Sequence, residues 1–187
     1  MTRDSGVVVE RLDGSGAAAA EDAFRLVYAE VFAEPPHSET EDDVEIAFRR
    51  FPAQIRRDSF RATLARTGAG EPVGIAYGHA VPADTEWWDR LTEPVTDAMR
   101  YEDGRRTFGL MELAVRAPWR GRGIARRLHT ALLDGVRAQR VLLNVHTESE
   151  AASAAYRAWG YRRIGGTRPW PGADVYDLMV LELPGTG

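Results

Sequence analysis

Apolar residues recur along this chain with two different periods. Phe24, Val27, Tyr28, Val31 and Phe32 fall three and four positions apart, as do Ile124, Leu128, Ala131, Leu132, Gly135 and Val136; this is the spacing of one face of a helix. The pattern predicts helices from Ala17 to about Phe32 and from about 122 to 138, the second carrying Arg126, Arg127, His129, Asp134 and Arg137 mostly off its apolar face. Shorter apolar runs at Val7–Leu12, Phe108–Val115 and Val141–His146 read as strands. Ser59–Arg66 and Val73–Val81 flank Gly68-Ala-Gly70-Glu-Pro72 and predict a hairpin; Tyr161–Thr167 and Val175–Leu183 predict another across Pro169-Trp-Pro-Gly172.

Punctuation residues refine the boundaries. Gly14-Ser-Gly16 predicts a turn ahead of the first helix, and Pro35-Pro36 ends that helix. Ser38, three residues before Glu41, predicts a capping box for a second helix running to about Arg50, before Pro52. Thr147 and Glu150 suggest another capped helix, which Gly160 closes. The polar segment 82–107, with Trp87, Trp88 and Tyr101, has the length of a functional lid or a partly helical insert. Strand, two helices, β-meander, helix, strand, helix and hairpin make a mixed α/β chain.

The stretch Arg120-Gly121-Arg122-Gly123-Ile124-Ala125 stands directly between a strand-like run and a helix-like run. Arg120, Arg122, Arg126 and Arg127 crowd the positive end of the helix dipole, and no acidic or hydroxyl residue caps it; each such cation costs about 0.3–1 kcal/mol. A bound phosphate or pyrophosphate reverses that sign, because free N–H groups and guanidinium groups then share one anion. Gly121 and Gly123 let the backbone approach such a ligand. Two rival phosphate loops fail on particular letters. A P-loop needs Lys followed by Ser or Thr, and the chain has no Lys; a dinucleotide fingerprint needs a small residue where Arg126 stands and an acidic residue within Asn144–Thr147.

Arg120-x-x-Gly123-x-Ala125 resembles the acyl-CoA signature of the GCN5-related N-acetyltransferases (GNAT), and Ala152, Tyr156, Gly160 and Tyr161 resemble that family's second conserved block. In the family an Asn usually stands seven residues before the Tyr, where this chain has Ser149. The resemblance implies an α/β acetyltransferase fold, a mixed central sheet flanked by helices, with the strands at 108–115 and 141–146 splayed apart to admit a pantetheine arm. It implies acetyl-CoA as co-substrate. Backbone groups of Leu113 and Val115 would bind the pantetheine arm, and residues Arg120, Gly121, Arg122, Gly123, Ile124 and Ala125, with Ser149, would hold the cofactor. Acetyl transfer would proceed by direct attack of a primary amine, of a small molecule or a peptide, in a ternary complex. Tyr156 would be the general acid, since a phenol with pKa about 10 stays protonated at neutral pH and can donate to a departing thiolate. Its other reading is a core tyrosine packed with Ala152 and Trp159 at helical spacing. Glu112, which interrupts an apolar strand, is either a general base or water-orienting group or a solvent-facing residue of an alternating strand. His146, at a strand end, is a second base candidate.

Composition narrows the remaining classes. The 187 residues, 44% hydrophobic, suit one domain with a sizeable core, and the resemblance implies that 1–187 is a single acyl-CoA N-acyltransferase domain. Without Cys or Lys, thiolate metal sites, a Cys nucleophile and Schiff-base chemistry are excluded, and no His spacing suggests a metal. The N-terminus lacks a basic-then-apolar leader, and no apolar run reaches membrane-spanning length, so a cytoplasmic protein is expected. A net charge of -4 disfavours general nucleic-acid affinity despite the arginines at 116–127. In the family, the loop between the first two helices lines the acceptor site. Here it holds Glu34, His37, Glu39, Glu41, Asp42 and Asp43, which would suit a cationic amine, although acidic residues at a helix start are expected on dipole grounds alone. A homodimer is compatible with the sequence. The alternative function is a non-catalytic acyl-CoA-binding regulatory module in which Glu112 and Tyr156 are structural.

Overall fold

The computed structural model describes residues 6–184. Seven strands form one mixed sheet flanked by helices, in the order β1-β2-β3-β4-β5-β7-β6. They are β1 (Val7–Leu12), β2 (Arg61–Thr67), β3 (Pro72–Ala80), β4 (Thr107–Val115), β5 (Arg140–His146), β6 (Arg162–Thr167) and β7 (Tyr176–Glu182). The helices are α1 (Gly14–Ala19), α2 (Glu21–Phe32), α3 (Glu41–Ile55), α4 (Asp97–Arg100), α5 (Ile124–Leu133) and α6 (Glu150–Ala158). Two compact units divide the chain: residues 1–79 with 110–136, and residues 80–109 with 137–187.

In the first unit β1, β2 and β3 pair antiparallel, as the two apolar runs around Gly68–Pro72 require. An aromatic cluster from α2, α3 and the sheet fills its core: the Phe51 ring lies 5.6 Å from Phe24, 5.3 Å from Phe48, 6.2 Å from Phe60 and 5.4 Å from Tyr77. This cluster corrects the expected end of α3. The helix runs through Pro52 to Ile55. An interior proline costs about 3 kcal/mol, but fully burying a Phe contributes about 1.5–3 kcal/mol and each aromatic pair about 0.5–1.5 kcal/mol more. With four ring partners, Phe51 outweighs Pro52.

Two other boundaries shift for local reasons. The expected Gly14–Gly16 turn is the first turn of α1, because Asp13 caps it by accepting from the Gly16 N–H at 2.8 Å. A Cβ on Gly14 would lie 1.9 Å from the Ile55 carbonyl oxygen, so this glycine serves close packing of α1 on the end of α3. The capping box of α3 is Thr40 with Asp43, not Ser38 with Glu41: Thr40 N donates to Asp43 Oδ2 at 2.8 Å and Asp43 N to Thr40 Oγ1 at 3.4 Å. Ser38 instead sits in the loop with a left-handed φ of 47°.

α5 is shorter than its apolar period suggested, ending at Leu133. It is fastened to the sheet by Thr63 Oγ1 donating to Leu128 O at 3.1 Å, by Arg127 Nη2 donating to Val7 O at 2.8 Å, and by Arg61, whose guanidinium reaches Asp134 O at 2.6 Å. A Cβ on Gly74 would come within 2.9 Å of Leu128 Cδ1, which explains a glycine inside β3.

In the second unit the parallel ladder of β4 with β5 pairs Thr107–Gly109 with Arg140–Leu142, and β7 pairs antiparallel with both β5 and β6. The long polar segment is an anchored insert. Trp88 packs with Leu142, Leu178 and Val180, Trp87 Nε1 donates to Asn144 Oδ1 at 3.2 Å, and Thr92 N donates to Gly166 O at 2.8 Å. Of the insert, Asp97–Arg100 is helical, capped by Thr96. β5 begins one residue earlier than its apolar run, at Arg140, which is 1% exposed.

Candidate active site

Glycine conformation builds the turn ahead of α5. Gly121 and Gly123 have φ of 70° and 75°, and a Cβ at either would meet nothing within 4 Å. The left-handed backbone therefore demands glycine here, while the space beside it is open. Gly123 occupies the N-cap of α5, and no side-chain hydrogen bond caps the first N–H groups of that helix. Ile124 is 1% exposed and pins the first turn into the core; Ala125 is half-buried beside it.

The arginines around this turn are more fully engaged than their spacing suggested. Arg116 is held by Glu30 at 2.5 Å and Glu71 at 2.6 Å. Arg120 makes a bidentate pair with Glu34 at 2.8 and 3.0 Å, and its Nε donates to the Val115 carbonyl at 2.9 Å. Arg122 donates to Pro118 O at 3.1 Å and lies 5.0 Å over the Trp119 ring. Glu30 in the last turn of α2 and Glu34 just beyond its end, four positions apart, supply the counter-charges; that spacing was visible in the sequence and was the missed signal. The hydrogen bond to Arg120 pulls the Glu34 carboxyl below its ordinary range.

Leu113 and Val115 close β4, the first half-buried and the second buried. Glu112, on the same strand, is half-buried by surface, but its carboxyl is desolvated, and burial, with a smaller contribution from the charge of Glu39, pushes its pKa up to about 8. Neither simple exposure nor a conventional ion pair describes it. Glu112 shares its strand face with Ala114, which packs in the cluster containing Tyr28 and Tyr77. Both phenols are pushed up, first by burial and next by the charge of Glu112. Tyr28 donates from its hydroxyl to Glu39 Oε1 at 3.1 Å, while Glu39 Oε2 is buried without a hydrogen-bond partner. Burial raises the Glu39 carboxyl, and the Tyr28 hydrogen bond opposes that rise. Sequence reasoning read Tyr28 only as a core residue and Glu39 as one acid among several.

The other acidic residues of the α2–α3 loop have structural partners or positions. Asp43 completes the capping box, Glu41 and Asp42 stand in the first turn of α3, and Glu34 faces Arg120. His37 packs edge-on against Phe32, with ring centroids 4.9 Å apart.

Tyr156 and Ser149 belong to the second unit. Tyr156 is 8% exposed on α6, edge-on to Trp159 at 5.5 Å and to Tyr161 at 5.4 Å. Ser149 stands at the N-cap of α6, but its side chain makes no cap hydrogen bond. Thr147, expected to help cap the helix, donates to Val175 O at 3.2 Å instead. His146 is 4% exposed; its Nδ1 accepts from Glu148 N at 3.1 Å and its Nε2 lies 3.2 Å from Asp174 Oδ2. With both ring nitrogens engaged by the protein, it is a poor base for a substrate. Among the described residues no group of three or more His, Asp or Glu side chains could hold a metal, and no helix is long and apolar enough to cross a membrane.

Residues 21–161 match the family described as Acetyltransferase (GNAT) family. By sequence the chain is similar to N-alpha-acetyltransferase RimI of Mycobacterium tuberculosis, 42% identical over 69 residues that make up 35% of this chain and 44% of that protein. The chain thus spans less than half the length of that relative. Its fold is similar to that of NAA60 from Arabidopsis thaliana, solved with a bisubstrate analogue (TM-score 0.66, 17% identity, covering 96% of this chain and 99% of the other). It is also similar to the ribosomal-protein-S18-alanine N-acetyltransferase from Escherichia coli (TM-score 0.63, 15% identity, 97% and 96% covered).

Proposed function

The chain belongs to the GNAT acetyltransferase family, whose co-substrate is acetyl-CoA, and on that premise we propose that it acetylates a primary amine by direct attack in a ternary complex. The observation that carries the reading is Glu112: a desolvated carboxyl, pushed up to about 8, on the strand that leads into the Gly121–Gly123 turn. A general base works best with a pKa near the operating pH. Membership of an acetyltransferase family does not favour a non-catalytic acyl-CoA-binding module.

In this reading residues 1–187 work as one acyltransferase domain. The open turn at Arg120–Ala125 binds the phosphates of acetyl-CoA through its N–H groups and arginines. Leu113 and Val115 offer backbone groups to the pantetheine arm, and Ser149 takes the place of the family's usual Asn. Glu112 accepts the proton of the arriving ammonium, directly or through one water. The neutral amine forms the new C–N bond at the acetyl carbonyl, the C–S bond breaks, the Tyr156 hydroxyl supplies the proton to the departing thiolate, and the proton that the nitrogen sheds on becoming an amide returns to the Tyr156 phenolate. The short stretch shared with a protein named N-alpha-acetyltransferase favours a peptide α-amine as acceptor. With Glu34 paired to Arg120, Asp43 in the capping box, and Glu41 and Asp42 at the positive end of the α3 dipole, a preference for a cationic acceptor rests on Glu39. The location proposed is the cytoplasm, and a homodimer is tested by sedimentation.

The test is release of free CoA thiol on a panel of peptides and small amines. Glu112→Gln should lower kcat/KM at neutral pH by about 10²–10⁴, and Tyr156→Phe by a similar factor. Both variants should keep the thermal stabilisation that acetyl-CoA gives the parent. Turnover by Glu112→Gln at the parental rate would remove Glu112 from the chemistry, and absence of stabilisation in the parent would remove the acetyl-CoA site.

A further inference from the structure

Three elements of the first unit converge on Glu112. Tyr77 from β3 and Tyr28 from α2 pack in the core cluster that includes Ala114, two residues on along the same strand face, and the charge of Glu39, from the α2–α3 loop, acts on Glu112 electrostatically. The loop is not free to move Glu39 away. Glu39 N donates to Phe32 O at 2.8 Å, Ser38 N donates to Glu34 O at 3.0 Å, and the Tyr28 hydroxyl holds Glu39 Oε1 at 3.1 Å. Tyr28 is itself fixed by Phe32 and Phe48, whose rings lie 4.4 and 5.5 Å away. A carboxylate has thus been anchored at a partly desolvated position with its second oxygen, Oε2, buried and unpartnered. Such a group costs stability and invites a reason for its presence.

We propose that Tyr28 and Glu39 form a charge clamp on Glu112: the phenol holds the Glu39 carboxylate in place and ionised, and the charge of Glu39 strengthens Glu112 as the base for the acceptor's ammonium. The clamp rests on the assignment of Glu112 as that base. Glu39 is a positioning residue, acting through Glu112. The physics is that of two carboxylates sharing a poorly solvated region, where one negative charge disfavours ionisation of the other. Burial alone raises both Glu39 and Glu112, and two equal groups would divide one proton between them. The Tyr28 hydrogen bond breaks that symmetry, because a donor to a carboxylate favours its charged form. Glu39 therefore keeps the charge and Glu112 receives the proton. The charged and titratable groups acting on the pair are Tyr28, Tyr77 and, on the Glu39 side, Asp43 of the capping box.

The experiment reads Glu112 in two independent ways in the full chain. Protein carrying glutamate labelled with carbon-13 at the side-chain carboxyl is titrated by NMR, with the Glu112 signal assigned by its loss in Glu112→Gln, and the pH profile of kcat/KM is measured on the same samples. In Glu39→Gln and in Tyr28→Phe the Glu112 titration should move to lower pH by about half a unit or more, and the acid limb of kcat/KM should move with it. Glu39→Asp should restore the limb towards the parental position. A Glu112 titration unchanged in Glu39→Gln would overturn the clamp, and so would one that moves in Glu39→Gln but not in Tyr28→Phe. If the NMR titration moves and the kinetic limb does not follow, Glu112 is not the base, and the assignment on which the clamp rests fails rather than the electrostatics. The NMR readout needs no turnover, so a variant with low activity still gives an answer.

Discussion

Arg140 and Glu112 are both ionisable residues on central strands, and both are shifted by burial, yet their surroundings differ. Arg140, in the second unit, has every nitrogen engaged: Nε donates to Thr107 Oγ1 at 2.8 Å, Nη1 to Met99 Sδ at 2.8 Å, and Nη2 to Met99 O and Glu102 Oε1, each at 2.8 Å. Trp88 covers its guanidinium, which lies 5.6 Å from the ring centroid. Glu112, in the first unit, interacts electrostatically with two tyrosines and a second carboxylate, and among the described residues no cation lowers its pKa. The first arrangement holds its charge permanently and fastens the 97–107 segment. The second makes its charge costly and therefore exchangeable, which is what proton transfer needs. Burial of a charge is thus not by itself a sign of function. The decisive difference is whether the surroundings satisfy it.

The largest expected effect tests the satisfied side. Arg140→Met leaves Glu102 buried without its partner, and urea unfolding should show a loss of about 3–5 kcal/mol. Replacing Glu102 by Leu in the same chain should recover most of it. A loss as small as that of a surface pair, about 0–1 kcal/mol, would erase the contrast between the two clusters.

The unsatisfied side should show itself in the pH dependence of stability. Glu112 has a higher pKa in the folded chain, about 8, than its ordinary value of 4.5. Between these values the folded state binds a proton that the unfolded state does not. The stabilisation is complete below the ordinary value and is lost as pH rises through about 8. Melting temperatures taken across this window should fall with rising pH in the parent and fall less in Glu112→Gln. Glu34, Asp43, Glu93 and Asp103 are all pulled down by their hydrogen-bond partners, so their contributions are lost as pH falls, in a more acidic range. An equal slope in parent and variant would mean that Glu112 is solvated like a surface carboxylate.

The smallest effect concerns an exposed pair lying between these extremes. Arg120 and Glu34 are 45% and 41% exposed, so their bidentate contact contributes little to stability. Its consequence is competition, because Arg120 cannot fully serve Glu34 and a phosphate together. Glu34→Gln should tighten acetyl-CoA binding by up to about fivefold in calorimetry, the equivalent of about 1 kcal/mol. Weaker binding would mean that Glu34 instead presents the guanidinium to the ligand.

Much of this was legible from local chemistry. All seven strands and the helices corresponding to α2 and α5 follow from apolar patterning, those corresponding to α3 and α6 from capping and punctuation residues, and the Gly121–Gly123 turn from two glycines between a strand and a helix. The errors have specific physical causes. Pro52 reads as a helix end until the four rings around Phe51 are known. Gly14 reads as a turn until the Ile55 carbonyl is placed beside it. Asp43 competed with Glu41 for the capping role, and two overlapping boxes cannot be ranked without the loop conformation.

Glu112 shows the boundary most clearly. That a carboxylate interrupts an apolar strand is written in the letters, and so is the family signature that follows it, because strand periodicity, glycine conformation and motif spacing act over a few residues. What surrounds that carboxylate is not, since Tyr28, Glu39 and Tyr77 come from a helix, a loop and a neighbouring strand far away in the chain. Solvation and charge depend on distance in space, and only folding brings these groups within reach of one another. Local letters set which chemistry is available, and the fold brings two carboxyls, Glu39 and Glu112, into electrostatic reach of each other.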